Sequence, residues 1–363
     1  MTAFGDVKGP GAGEHDFENI DQVVERFREE DGYIVDHRLA TMVLLTTRLQ
    51  KPILVEGPAG VGKTELAKAL SVSTGRRLIR LQCYEGIDYS QALYEWDYGK
   101  QLLYMQLLRE GSGNILGDIE DPSEALPKLK SYESLFFSEH FLAERPIFEA
   151  IRSEQPSVLL IDEIDRADEQ LEALLLEVLA ELQVSVPELG TFAAVTTPYV
   201  IITSNNTRDL SPALKRRCLH LSLDYPTADR ELEILRLKVP GISEELSQQI
   251  VDLVRSLRDL DLRKAPSISE ALDWAQALAV LNAESLNSEL VQETMMLLLK
   301  YDRDVEKAME ALPRIMGEEH SHDHDHDHHH GHDHHHGHSH GHDEHKANEH
   351  KANYFGAFRG GER

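Results

Sequence analysis

This sequence is short of positive charge relative to negative, and short of cysteine. Of 363 residues, 37 are Lys or Arg against 64 Asp or Glu, a formal net charge of −27. A surface that acidic repels phosphate backbones, which argues against broad electrostatic binding to nucleic acid. Cys83 and Cys218 are the only cysteines. They are too few for a disulfide framework, and a reducing cytoplasm is the expected setting. The opening stretch MTAFGDVKGPGAGEHDFENI lacks the apolar segment of a signal peptide. No run approaches the roughly 18 apolar residues that cross a bilayer, so no membrane span is expected. Hydrophobic residues make up 41% and charged residues 28%, enough of each for a globular core of two to three domains.

Histidine is distributed very unevenly. Sixteen of the 20 lie between His320 and His350. That stretch has almost no apolar residue to bury, so residues 317–363 read as a disordered tail. Residues 1–15, rich in Gly and polar groups, read as a flexible arm. Between them, residues 16–225 alternate short apolar runs with helical patterns. Strands are expected at 52–56, 78–83, 158–161, 199–204 and 218–223, which makes this part an α/β domain with a largely parallel sheet. Residues 226–316 are helical in pattern throughout, with Pro226 as the hinge.

The strongest local signal is Gly57-Pro58-Ala59-Gly60-Val61-Gly62-Lys63-Thr64, a full match to G-x-x-x-x-G-K-[ST] between an apolar strand and a helix. Its glycines let backbone N–H groups wrap nucleotide phosphates at a helix N-terminus. Lys63 is placed to reach the β- and γ-phosphates and the Thr64 hydroxyl to ligate Mg²⁺. About 100 residues on, the apolar run VLLI ends in Asp162-Glu163. A carboxylate there can hold Mg²⁺ through water, and its neighbour can polarise an attacking water. Together with the Gly-rich loop, the pair favours hydrolysis over transfer to a second substrate. Asn205, at the end of YVIITS, is either a water-orienting amide near the γ-phosphate or an ordinary turn residue. Arg216 and Arg217 are either a solvated charge pair or an arginine finger reaching a neighbouring subunit's nucleotide.

In this order and spacing, the four elements resemble the AAA+ ATPases and, within them, the MoxR branch. The resemblance covers roughly residues 16–311. It is carried by DEIDRADEQLEALLLEVLAELQVSV, SEHFLAERPIFEAI and VIITSNNTRDLSPALKRRCLHL. LIRLQCYEGIDYSQALYEWDYGKQLLY and PSISEALDWAQAL are most similar to the CoxD-like subgroup, linked to maturation of a molybdenum–copper carbon monoxide dehydrogenase. The resemblance implies a P-loop AAA+ parallel-sheet domain, then a small all-α lid and the tail. It implies a homo-oligomeric, usually hexameric ring that hydrolyses ATP with Mg²⁺ at subunit interfaces. The implied work is that of a chaperone remodelling a client or helping to insert a metal centre, often with a von Willebrand A domain partner. Carried over by position, Lys63 and Thr64 bind phosphate and Mg²⁺, Asp162 and Glu163 serve Mg²⁺ and water, and Asn205 is sensor 1. Arg217 is the better match to the finger and Arg216 the competing one, while Tyr33 and Ile34 cup adenine. The sequence departs from the family at the lid helix, where Ser267-Ile-Ser-Glu270 stands in place of a sensor 2 arginine. Arg263 and Lys264 are the nearest cations to replace it.

The tail is separate chemistry. Thirteen imidazoles, of His322, His324, His326, His328, His329, His330, His332, His334, His335, His336, His338, His340 and His342, alternate with Asp and Gly. Neutral imidazole suits Zn²⁺, Ni²⁺ and Cu²⁺, and this spacing suits several exchangeable ions better than one closed site. The competing reading is a solvated tail that meets metals incidentally. A metal-storage or delivery protein with a nucleotide switch is the alternative reading of the whole chain. Cys83, Cys218, Trp96, Tyr98 and His15, His37, His140 and His220 read as structural.

Overall fold

Each expected apolar run becomes a strand of one parallel sheet. The structure, a computed structural model, describes residues 16–111 and 136–317. In chain order the first elements are α1 (Ile20–Asp31), α2 (His37–Leu49), β1 (Ile53–Glu56), α3 (Lys63–Thr74) and β2 (Arg77–Gln82). Next come α4 (Tyr89–Ala92), β3 (Tyr94–Trp96), α5 (Tyr98–Gly111), β4 (Leu142–Glu144), α6 (Pro146–Arg152) and β5 (Ser157–Asp162). The α/β part is completed by α7 (Glu169–Glu181), β6 (Gln183–Val186), β7 (Gly190–Ala193), β8 (Tyr199–Ser204), α8 (Pro212–Arg217) and β9 (Leu219–Ser222). The chain then runs on through five more helices: α9 (Ala228–Lys238), α10 (Glu244–Arg258), α11 (Ile268–Val280), α12 (Ser288–Leu298) and α13 (Asp302–Ile315).

The sheet order is β2-β5-β8-β1-β9, every neighbouring pair parallel. The three central strands are buried at every position, which is why their sequences are unbroken apolar runs rather than alternating ones. Edge strands β2 and β9 alternate instead. One face is covered by α1, α2 and α3 around Phe17, Phe27 and Leu70, the other by α6 and α7 around Phe148, Ile161 and Leu175. With both faces covered, the exposed working edge is the one where β1, β5 and β8 all end.

Strand limits fall within one or two residues of expectation. The third expected strand runs two residues further in total, to Asp162, so the carboxylate belongs to the strand itself. Cys83 lies just past β2, buried, and burial pushes its thiol up to about 12, the state of an inert core thiol. Two antiparallel hairpins, β3–β4 and β6–β7, add to the expected plan. Trp96, on the first, packs edge-on against Tyr94 and Phe137. Tyr98 does not pack, being 64% exposed at the start of α5.

The C-terminal helices enclose a second core, with Leu235, Val254, Leu278 and Met295 around the fully buried Trp274. The Trp274 indole N–H donates to Thr294 Oγ1 at 2.8 Å, so the one polar atom of that ring is satisfied. Ser243 caps α10 by accepting from the Leu246 amide at 3.1 Å. Ser267 and Glu270 form a reciprocal capping box at the start of α11.

Candidate functional site

The loop after β1 carries the features that the Gly-rich motif demands. A Cβ on Gly57 would lie against the Leu223 carbonyl, and Gly62, at φ 95, is the left-handed cap from which α3 starts. The result is a run of backbone N–H groups opening into a helix N-terminus, an anion cradle. Lys63 is buried at its mouth and donates Nζ to the Gly57 and Pro58 carbonyls at 2.7 and 2.6 Å. Burial lowers its pKa, and the carboxylates of Asp165, Asp162 and Glu163 oppose that shift. Phosphate oxygens are stronger acceptors than carbonyls and would draw the ammonium outward.

Three strand ends bring the remaining groups together. Asp162, at the end of β5, accepts from Thr64 Oγ1 at 3.1 and 3.2 Å, from Thr203 Oγ1 at 2.5 Å and from Arg80 Nη2 at 2.6 Å. The hydroxyl of Thr64 and the carboxylate of Asp162 are hard oxygen donors, the kind magnesium takes alongside phosphate and water. Glu163 follows at φ 57, a left-handed backbone that a non-glycine residue adopts only when its surroundings hold it. Its amide donates to Thr203 Oγ1 at 2.9 Å. Its carboxylate accepts from Asn205 Nδ2 and Gln82 Nε2, both at 3.2 Å, and pairs with Arg166 at 2.8 Å. Asn205 therefore lies beside Glu163.

Asp165 fixes the loop that carries Asn205. It accepts from the Asn205 and Thr207 amides at 3.0 and 3.1 Å and from Thr207 Oγ1 at 2.6 Å. Burial would raise its pKa, but these hydrogen bonds to the charged form outweigh it and hold the carboxyl below its ordinary value. Glu56, the last residue of β1, is held in the same way. Burial opposes its charge, yet His220 and Lys215 (3.0 Å from Oε1) pull the carboxyl below the usual range. Lys215 thereby ties α8 to the strand that feeds the phosphate loop. On the same helix, Arg217 donates to the Leu176 carbonyl, whereas Arg216 is exposed and makes no hydrogen bond or ion pair among the described residues.

A cleft of about 510 Å³ opens beside the loop, lined by Tyr33, Ile34, Gly62, Leu223, Tyr225 and Ile268 among others. Its size suits a small-molecule ligand. The Tyr33 hydroxyl donates to the Gly62 carbonyl at 3.2 Å, and burial raises its pKa. The Ile34 carbonyl accepts from Arg230 at 2.6 Å. The lid meets the loop through serines: Ser269 Oγ donates to the Gly60 carbonyl at 3.3 Å. Neither cation expected to replace sensor 2 points to the loop. Lys264 pairs with Glu270 at 2.7 Å, and the Arg263 guanidinium stacks 4.2 Å from the Tyr301 ring centroid.

Several of these residues carry no signal in the sequence alone. Arg80 and Gln82 occupy alternate positions of an edge strand, where charged groups read as a solvated face. Glu56, Lys215 and His220 meet only because β9 returns beside β1. Among the described residues no group of three or more His, Cys, Asp or Glu is disposed to hold a metal, and no helix is long and apolar enough to cross a membrane. The tail histidines lie outside the described residues.

Comparison with known proteins finds similarity centred on the motif-bearing part. Residues 52–218 match the family model described as AAA domain (dynein-related subfamily). An uncharacterized protein of Staphylococcus saprophyticus is 21% identical over 281 residues, 73% of this chain and 90% of that one. The proteasome-activating nucleotidase of Methanopyrus kandleri is 23% identical over 286 residues, 74% of this chain but only 48% of the nucleotidase. Among solved structures, a RuvB variant of Thermotoga maritima matches at TM-score 0.44 and 16% identity, covering 80% of each chain.

Proposed function

We propose, from the match of residues 52–218 to an AAA domain model and from the parallel P-loop sheet, that this chain hydrolyses ATP to ADP and phosphate. The observation that carries the reading is the convergence of Lys63, Thr64, Asp162, Glu163 and Asn205 where β1, β5 and β8 end. In this mechanism the backbone of Gly57, Pro58, Ala59, Gly60, Val61 and Gly62 cradles the phosphates. Lys63 exchanges its two carbonyl partners for β- and γ-phosphate oxygens. Thr64 and Asp162 would hold magnesium, which would supply positive charge to the phosphates. Glu163 orients the attacking water and takes its proton, with Asn205 fixing one carboxylate oxygen. Tyr33 and Ile34 cover the adenine. Arg217 or Arg216 of a neighbouring subunit stabilises the transition state, so the active form is a ring, by resemblance a hexamer.

By the same resemblance, the energy is spent as in the MoxR branch: a cytoplasmic chaperone remodels a client, with a metalloenzyme under maturation as the best candidate. A von Willebrand A domain protein is the expected partner. The tail histidines are then a store of exchangeable Ni²⁺, Zn²⁺ or Cu²⁺ beside that work. Glu163→Gln tests the core of the proposal. It should retain ATP affinity while turnover falls by about 10²-fold or more, the usual worth of a positioned base. Wild-type turnover in that variant would remove Glu163 from the reaction. Trapped with ATP and Mg²⁺ in native extract, the same variant should retain its client, and mass spectrometry would name it. Recovery of the ring alone would set the client reading aside.

A further inference from the structure

Arg80 stands between the two acids of the site and has no part in the mechanism above. Its guanidinium donates to Asp162 Oδ2 at 2.6 Å and to Gln82 Oε1. Gln82 then donates Nε2 to Glu163 Oε2 at 3.2 Å. An amide has one accepting and one donating end, so Arg80 on its oxygen turns its nitrogen toward Glu163. The four side chains make an unbroken line from the carboxylate of the metal site to the carboxylate that orients water.

The line is unevenly anchored. The Asp162 side chain is 3% exposed and has Arg80 as its one ion-pair partner among the described residues, whereas Arg80 is 48% exposed. A buried carboxylate needs a counter-charge, and a half-exposed guanidinium can leave for water at little cost. Magnesium would bring two positive charges to the same carboxylate and repel the guanidinium. Resting on the ATPase reading, we propose that Arg80 is a positioning residue. It neutralises Asp162 until the metal binds and, once displaced, frees Gln82 and so unlocks Glu163. Hydrolysis is thereby coupled to the presence of the metal.

The test uses the full chain loaded with the non-hydrolysable analogue adenylyl imidodiphosphate, into which MgCl₂ is titrated by calorimetry. Arg80→Gln removes the competing cation and should lower the Mg²⁺ midpoint by about fivefold or more, the worth of a unit charge about 4 Å away even at bulk-water screening. Arg80→Lys keeps the charge and should keep the wild-type midpoint. An unchanged or raised midpoint in Arg80→Gln overturns the competition. The release of Gln82 is read in turnover at limiting MgCl₂. At saturating Mg²⁺ Arg80 is displaced in the wild type too, so Arg80→Gln should match the wild-type kcat there and exceed wild-type turnover, by up to the same factor as the midpoint shift, only where Mg²⁺ is limiting. A lowered kcat in Arg80→Gln at saturating Mg²⁺ overturns the relay. A wild-type chain that neither binds nor hydrolyses ATP removes the ATPase reading instead. A wild type that does both, with an unaltered Mg²⁺ midpoint in Arg80→Gln, removes this inference alone.

Discussion

Gly60→Ala should separate the lid from the phosphate loop. At φ 75, Gly60 sits in a backbone region that costs an alanine about 1 kcal/mol. Its new Cβ would also come 2.6 Å from Ser267 Cβ and collide with the Ser267 hydroxyl. That hydroxyl cannot swing aside freely, because Ser267 is 1% exposed and its side chain is locked with Glu270 in the capping box of α11. Giving up the cap costs about 1 kcal/mol, and overpacking costs about 1–3 kcal/mol. Cap and overpacking together set about 2–4 kcal/mol against the docked lid, on top of the backbone strain. Ser267→Gly removes both colliding atoms and leaves a residue that glycine's own capping ability partly serves, at a few tenths of a kcal/mol relative to serine. The assay is a double-mutant cycle on denaturant unfolding and on nucleotide affinity. The double variant should recover about 2–4 kcal/mol of the Gly60→Ala loss, leaving the backbone strain and the few tenths that glycine gives up as a cap. Losses that simply add, to within about 0.5 kcal/mol, would refute the packing of the lid serine on the loop.

Asp165→Asn should cost about 2 kcal/mol, since the Asn205 and Thr207 donors lose a charged acceptor. The carboxyl is held below its ordinary value, so its stabilisation is complete above about pH 4 and disappears as pH falls through the lower folded pKa. Denaturation curves of wild type and variant should therefore differ at pH 7 and draw together as the pH falls below about 4. A gap that grows as the pH falls through that range would contradict this. Glu56→Gln should lower stability by about 1 kcal/mol, a figure kept small because Lys215 and His220 are 36% and 46% exposed. In that background Lys215→Met should add almost nothing, and a further full loss would show that Lys215 acts elsewhere.

The sheet was legible because β1, β5 and β8 are buried on both faces, so their runs ILVE, SVLLID and YVIITS carry few interruptions. The hairpins were not, because β3 and β4 have three residues each and β6 and β7 four, too short for a period to declare itself. Within the site, Lys63, Thr64, Asp162 and Glu163 follow from local pattern, each being an acid, a cation or a hydroxyl abutting an apolar strand or a glycine loop. Arg80, Asp165 and Glu56 do not. Their roles depend on pairings 82, 42 and 159 residues apart, to Asp162, Thr207 and Lys215, which only the parallel register creates. In the sequence the lid serines read only as the absence of an arginine. That they pack on Gly60 is a property of how α11 approaches the loop.

The two tryptophans of the chain are divided between its two cores: Trp96 in the hairpin beneath the sheet and Trp274 at the centre of the helical lid. Each indole is buried, so each emits from an apolar setting and reddens only when its own core opens. Replacing one with phenylalanine leaves a single tryptophan, which excitation at wavelengths tyrosine does not absorb reads on its own. The molecule thus carries its own optical means of asking whether the lid melts with the sheet or before it, with no label to disturb either.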